Sequence, residues 1–91
     1  MAQERLSPRP AADDVPVLVR GIDREAEFAA FVTSAAPALG RTAWLLCGDA
    51  HRAEELVQHT LVRTYLAWDV ARQGEPLAYA RRVLANLRID T

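Results

Sequence analysis

The sequence contains no lysine: all 11 of its basic residues are arginine. Arginine and the abundant alanine both have GC-rich codons. The bias therefore reads first as a GC-rich genome and only second as a choice of forked cations for phosphate. Cysteine occurs once, at Cys47, which excludes an internal disulfide framework and fits a reducing compartment. No apolar run comes near the roughly 18–20 residues that span a bilayer, because Arg41 and Arg52 interrupt the richest stretch. The N-terminal residues lack the apolar segment of a signal peptide. A cytoplasmic protein with no membrane association is the expectation. Phosphate-binding loops, dinucleotide fingerprints and zinc-protease motifs are all missing. Serine occurs only at Ser7 and Ser34, neither of them in a nucleophile elbow. No enzyme and no cofactor are expected.

What is present fits one globular domain. The 91 residues are 51% hydrophobic and 25% charged, too apolar for a disordered chain. A domain this small buries about 60–65% of its unfolded surface, enough for one modest core. The net charge of −1 argues against a protein that coats nucleic acid without selectivity. That total hides an asymmetry. Residues 1–27 carry four Arg against six acids, residues 28–62 two against three, and residues 63–91 five against three. The last third is basic, and a polyanion can dock there without the whole chain being sticky.

Periodicity predicts helices throughout. Residues 1–12 hold Ser7, Pro8 and Pro10 with no period and read as a disordered tail, which leaves residues 13–91 as the domain. Asp13, Asp14 and Pro16 suit the first turn of a short leading helix that Gly21 closes. Asp23 would cap the next helix. Its apolar stripe is Phe28, Phe31, Val32, Ala35, Leu39, Ala43 and Leu46, at steps of three and four. Pro37 sits inside the stripe and should kink this helix or break it in two, and Gly48 should end it. Asp49 caps a further helix with the stripe Ala53, Leu56, Val57, Thr60, Leu61, Thr64 and Trp68. Residues 69–75 show no period and read as a loop. Pro76 opens a last helix, whose inner stripe is Leu77, Ala80, Val83, Leu84 and Leu87. No alternating strand pattern competes. The expected fold is an all-α bundle of three main helices, the first kinked at Pro37, plus a short N-terminal helix.

Two surfaces carry chemistry. The outer face of the helix after Asp49 holds Glu55, Gln58, His59, Val62 and Leu66. A merely solvated face would lack Val62 and Leu66, so a partner protein is one reading and an ordinary surface helix the other. The basic third combines Arg63, Arg72, Arg81, Arg82 and Arg88 with Trp68, Tyr79 and Asn86. Arginine grips phosphate, aromatic rings stack on unpaired bases, and asparagine reads a base edge. The plain alternative is a basic face that balances Glu54 and Glu55. Cys47, His51 and His59 are better read as a buried thiol and two surface histidines than as a zinc site.

Three runs then carry a resemblance. Residues 48–65, G-D-A-H-R-A-E-E-L-V-Q-H-T-L-V-R-T-Y, resemble region 2.2 of extracytoplasmic-function (ECF) sigma factors, with their D-A-E-D-L-V-Q-E-T-F-like helix. Residues 76–90, with R-V-L-A-N-L-R-I-D over 82–90, resemble the R-I-A-R-N-L-x-I-D run of regions 2.3 and 2.4. Residues 28–48, with their mid-helix proline and L-L-x-G-D ending, resemble region 2.1. The likeness covers roughly residues 20–91 and is closest to the actinobacterial group.

The resemblance implies a bundle of sigma region 2 type that binds core RNA polymerase and promoter DNA. In the family, the outer face of the second main helix docks on the clamp helices of the β′ subunit. Glu55, Gln58, His59 and Val62 match those positions. The following loop and last helix hold the non-template strand of the opened −10 element. Arg63, Arg72, Gln73, Tyr79, Arg81, Arg82 and Asn86 fall where those contacts are made. An anti-sigma factor covering the same faces is a further implied partner. His59 departs from the family's usual Glu or Asp. The family's region 4 domain, which reads the −35 element, has no counterpart in residues 1–91. Two other readings stay open: a helix-turn-helix module on duplex DNA with residues 76–90 as recognition helix, and an anti-sigma-binding domain without promoter activity.

Overall fold

The computed structural model describes residues 17–90, all helical apart from short turns. Four helices follow one another: α1 (Val17–Cys47), α2 (Ala50–Leu66), α3 (Trp68–Ala71) and α4 (Pro76–Asp90). The expected tail over residues 1–12 and the acidic start at Asp13 lie outside the described residues.

The chain folds back on itself at each turn, and α2 lies in the middle, packed on both α1 and α4. Arg24, early in α1, hydrogen-bonds the Tyr65 carbonyl at the far end of α2. Arg88, late in α4, donates to the Leu46 carbonyl at the end of α1. So α1 and α4 run alike, and α2 runs against them.

Two boundaries match the local chemistry. Gly48 stands in the left-handed region at φ 67°, where a side chain would be strained, and its N–H donates to the Trp44 carbonyl at 2.8 Å. One residue later, the Asp49 carboxylate accepts from the Arg52 N–H at 3.1 Å and caps α2. A two-residue corner thus reverses the chain.

Three expectations are corrected. The leading helix does not close at Gly21, and Asp23 does not cap the next, because both lie inside α1. A glycine ends a helix by turning left-handed; among the described residues Gly48 does so and Gly21 does not. Of the two outcomes expected at Pro37, division does not occur: α1 runs through it as one helix. Pro37 is exposed, and so is Thr33, whose carbonyl loses its helical donor to the proline, while Ala35, Leu39 and Ala43 hold the opposite side in the core. Residues 69–75 are not all loop. Trp68–Ala71 forms one helical turn with Trp68 and Ala71 both buried, too short for any period to show in sequence.

The core is built largely of small residues. Ala35, Ala43, Ala53 and Ala80 join Leu39, Leu56 and Leu84 in one cluster, with Thr60 and Thr64 fully buried beside them. Leu46, expected inside, is 41% exposed. Cys47, four residues after Ala43, takes the inward position, and three residues turn Leu46 away from it. The Thr64 hydroxyl donates to the Thr60 carbonyl at 2.8 Å. The Thr60 hydroxyl finds no hydrogen-bond partner among the described residues. A buried orphan hydroxyl costs free energy, and valine has nearly the same shape. Thr60→Val should therefore raise stability by about 1 kcal/mol, read as a higher urea midpoint.

Candidate functional site

The first surface rises from α2. With Ala53, Leu56, Thr60 and Thr64 turned inward, helical geometry puts Glu55, Gln58, His59, Val62 and Leu66 outside, and all five are exposed. Val62 is 58% exposed and Leu66 73%; Val70 on α3 continues the apolar line at 65%. Glu55 lies 3.3 Å from His51 across one turn. It also borders, with His59, a cleft of about 410 Å³ lined by Cys47, Arg52, Leu56 and Arg88 as well. The face is thus mixed: a carboxylate, an amide and an imidazole at one end, bare aliphatics at the other.

The second set spreads over the end of α2 and over α4. Arg63, Gln73, Arg81, Arg82 and Asn86 are exposed, and Tyr79 is half-buried. No ion pair among the described residues engages Arg63, Arg81 or Arg82. Arg81 and Arg88 are seven residues apart and share a line on α4, as their spacing predicts. Pro76 stands at the start of α4, and the Tyr79 N–H donates to the Glu75 carbonyl at 3.0 Å.

Arg72 differs from these. It is exposed, but its guanidinium forks onto Glu27, with Nε at 2.7 Å from Oε1 and Nη2 at 3.2 Å from Oε2. The Trp68 indole N–H reaches the same Oε1 at 3.0 Å. One turn earlier, Arg24 donates to the Tyr65 carbonyl at 2.7 Å, lies 3.3 Å from Asp69 and stacks 4.5 Å over the Tyr65 ring. Beneath this polar layer, the Phe28 ring sits 5.1 Å from both Tyr65 and Trp68, and Phe31 sits 5.2 Å from Trp68. Sequence reasoning missed Arg24 and Glu27. Their partners are more than 40 residues away, and no local pattern signals such a pairing.

Electrostatics follow these contacts. Hydrogen bonds from Arg72 and then Trp68 hold the Glu27 carboxyl below the usual carboxylate range, and Glu27 in turn pushes Arg72 up. The Arg52 backbone N–H lowers Asp49 likewise. A carboxylate depressed in the folded state stabilises the fold above its unfolded pKa, about 4.3 for Glu, and loses that contribution as pH falls through the lower folded value. The thermal midpoint of the native domain should therefore decline below about pH 4. Glu27→Gln removes one titrating group, so its midpoint starts lower at neutral pH and falls less steeply in acid.

Among the described residues no three His, Cys, Asp or Glu side chains gather where a metal ion could be held. Cys47 is half-buried, and His51 and His59 are exposed. No described helix is long and apolar enough to cross a membrane.

Fold and surfaces together define a small helical domain whose distinctive residues sit on exposed helix faces. Comparison with known proteins names the kind. Residues 31–91 match the family described as Sigma-70 region 2, and the chain belongs to that family. The RNA polymerase sigma-E factor of Streptomyces avermitilis is 42% identical over 65 residues, which make up 70% of this chain and 36% of that protein. The likeness is to the extracytoplasmic-function branch of actinobacterial type. The chain spans about a third of that relative's length. No solved structure matches the chain.

Proposed function

We propose that this domain acts in transcription initiation, docking on core RNA polymerase and receiving the opened −10 element of a promoter. The match of residues 31–91 to Sigma-70 region 2 carries this reading. The outer face of α2, through Glu55, Gln58, His59 and Val62, meets the clamp helices of the β′ subunit. Arg63, Arg81 and Arg82 align the phosphates of the non-template strand, and Gln73, Tyr79 and Asn86 meet its bases. Arg72 stands in the same stretch with its guanidinium already forked on Glu27. All of these residues but the half-buried Tyr79 are exposed, and all of the strand-binding set but Arg63 lies beyond α2, which supports simultaneous use. An anti-sigma factor is the further partner, and the cytoplasm is the compartment. No bond is made or broken by the domain.

The energetics favour a strand already apart. Extracting a base from a duplex costs a few kcal/mol. Each base stacked on an aromatic ring returns about 1–3 kcal/mol. A domain this small, with one half-buried tyrosine on α4, holds an open strand more readily than it melts a duplex.

The test is capture of a randomised single-stranded DNA pool by the domain bound to core polymerase, followed by duplexes of the enriched sequence. Single-strand retention that depends on polymerase is expected, with little binding to duplex by the free domain. Equal duplex affinity with and without polymerase would instead favour a helix-turn-helix module.

A further inference from the structure

The part of α1 before residue 31 lies outside the Sigma-70 region 2 match, yet it grips the segment that leads into the proposed strand-binding residues. Arg24 and Glu27 engage Tyr65, Trp68, Asp69 and Arg72. Those four cover the last turn of α2, the whole of α3 and the first residue after it. Immediately beyond come residues 73–75 and the start of α4. A guanidinium that forks both oxygens of one carboxylate through Nε and Nη2 has committed that edge and is held in place by it. Arg72 is thus fixed on Glu27 before any strand arrives.

We propose that Arg24 and Glu27 are positioning residues, and that Glu27 with Arg72 forms a latch holding α3 and residues 73–75 in the arrangement that receives the DNA strand. This rests on the function proposed above. The latch saves ordering cost at the moment of binding, because the receiving segment is already placed. Arg72 acts through Glu27 and makes no phosphate contact of its own.

The two roles predict opposite signs. In complex with core polymerase, Glu27→Gln and Arg72→Gln should each weaken capture of the enriched single strand by about tenfold. Polymerase affinity and the salt dependence of strand binding should stay unchanged. If Arg72 were a phosphate contact, Glu27→Gln would free it and leave capture equal or stronger. Arg72→Gln would then reduce the salt slope by about 0.7, and the latch would be overturned. Should Glu27→Gln fail to fold, Arg72→Gln still decides through its salt slope, since it leaves the Trp68–Glu27 hydrogen bond in place. Amide hydrogen exchange on the free domain separates this inference from the functional one. Faster exchange at residues 72–75 in Glu27→Gln supports the latch even if the native complex holds no strand, a result that would sink only the functional reading. Unchanged exchange there overturns the latch.

Discussion

Replacing Trp68 with alanine is expected to cost about 3–5 kcal/mol and to leave the domain at the edge of unfolding. Trp68 is 2% exposed. Its ring packs edge-on against Phe28 and tilted against Phe31, and its indole N–H is satisfied by Glu27. The substitution removes the largest fully buried side chain, opens a cavity under α3, and strips Glu27 of a donor. A domain of this length has a total stability of about 5–14 kcal/mol, so the loss takes about a fifth of it at the least and all of it at the most. Urea denaturation followed by circular dichroism reads the effect as a fall in midpoint. Trp44→Ala is the internal control. Trp44 is half exposed, and its loss should cost less than about 1 kcal/mol. Equal midpoints for the two variants would show that Trp68 is not the anchor of the α2–α3 corner.

The second large effect is on association. Glu55→Arg combined with Gln58→Ala should lower affinity for core polymerase by about 10–100-fold, the size expected when a charge is reversed at a complementary interface. Both side chains are exposed. Among the described residues the only ion pair lost is the exposed His51–Glu55 contact, which contributes little to stability. The urea midpoint should therefore stay within about 0.5 kcal/mol of the native value, and the pull-down should fail for lack of a docking face. Retained pull-down would move the interface elsewhere on the bundle. Val62→Glu, further along the same face, is the confirming variant.

The sequence made some of this legible and hid the rest for definable reasons. The inner stripes of α2 and α4 could be read because each is long enough for a 3.6-residue period to declare itself. Ala53, Leu56, Thr60, Thr64, Ala80 and Leu84 are all buried as expected. The α1–α2 corner could be read because Gly48 and Asp49 are local devices that work within a few residues. The start of α1 misled, since Gly21 and Asp23 carry stop and cap chemistry that tertiary contacts of Arg24, Glu27 and Phe28 override. The single turn of α3 was too short to have a period. On the surface, composition singled out Arg63, Arg72, Arg81 and Arg82 alike, and Arg63, Arg81 and Arg82 take part in no ion pair among the described residues. It could not mark Arg72 as engaged, because engagement depends on a carboxylate 45 residues away.

The alanine- and threonine-lined interior has a consequence for how such a chain changes over generations. Side chains this slight let neighbouring helix axes close up until little slack is left, so an added methyl at Ala35, Ala43, Ala53 or Ala80 acts as a wedge, and only glycine is smaller. Inherited variation is thereby steered outward, onto the rims of α2 and α4. A lineage built on this frame is free to renegotiate whom it touches long before it can afford to alter how it folds.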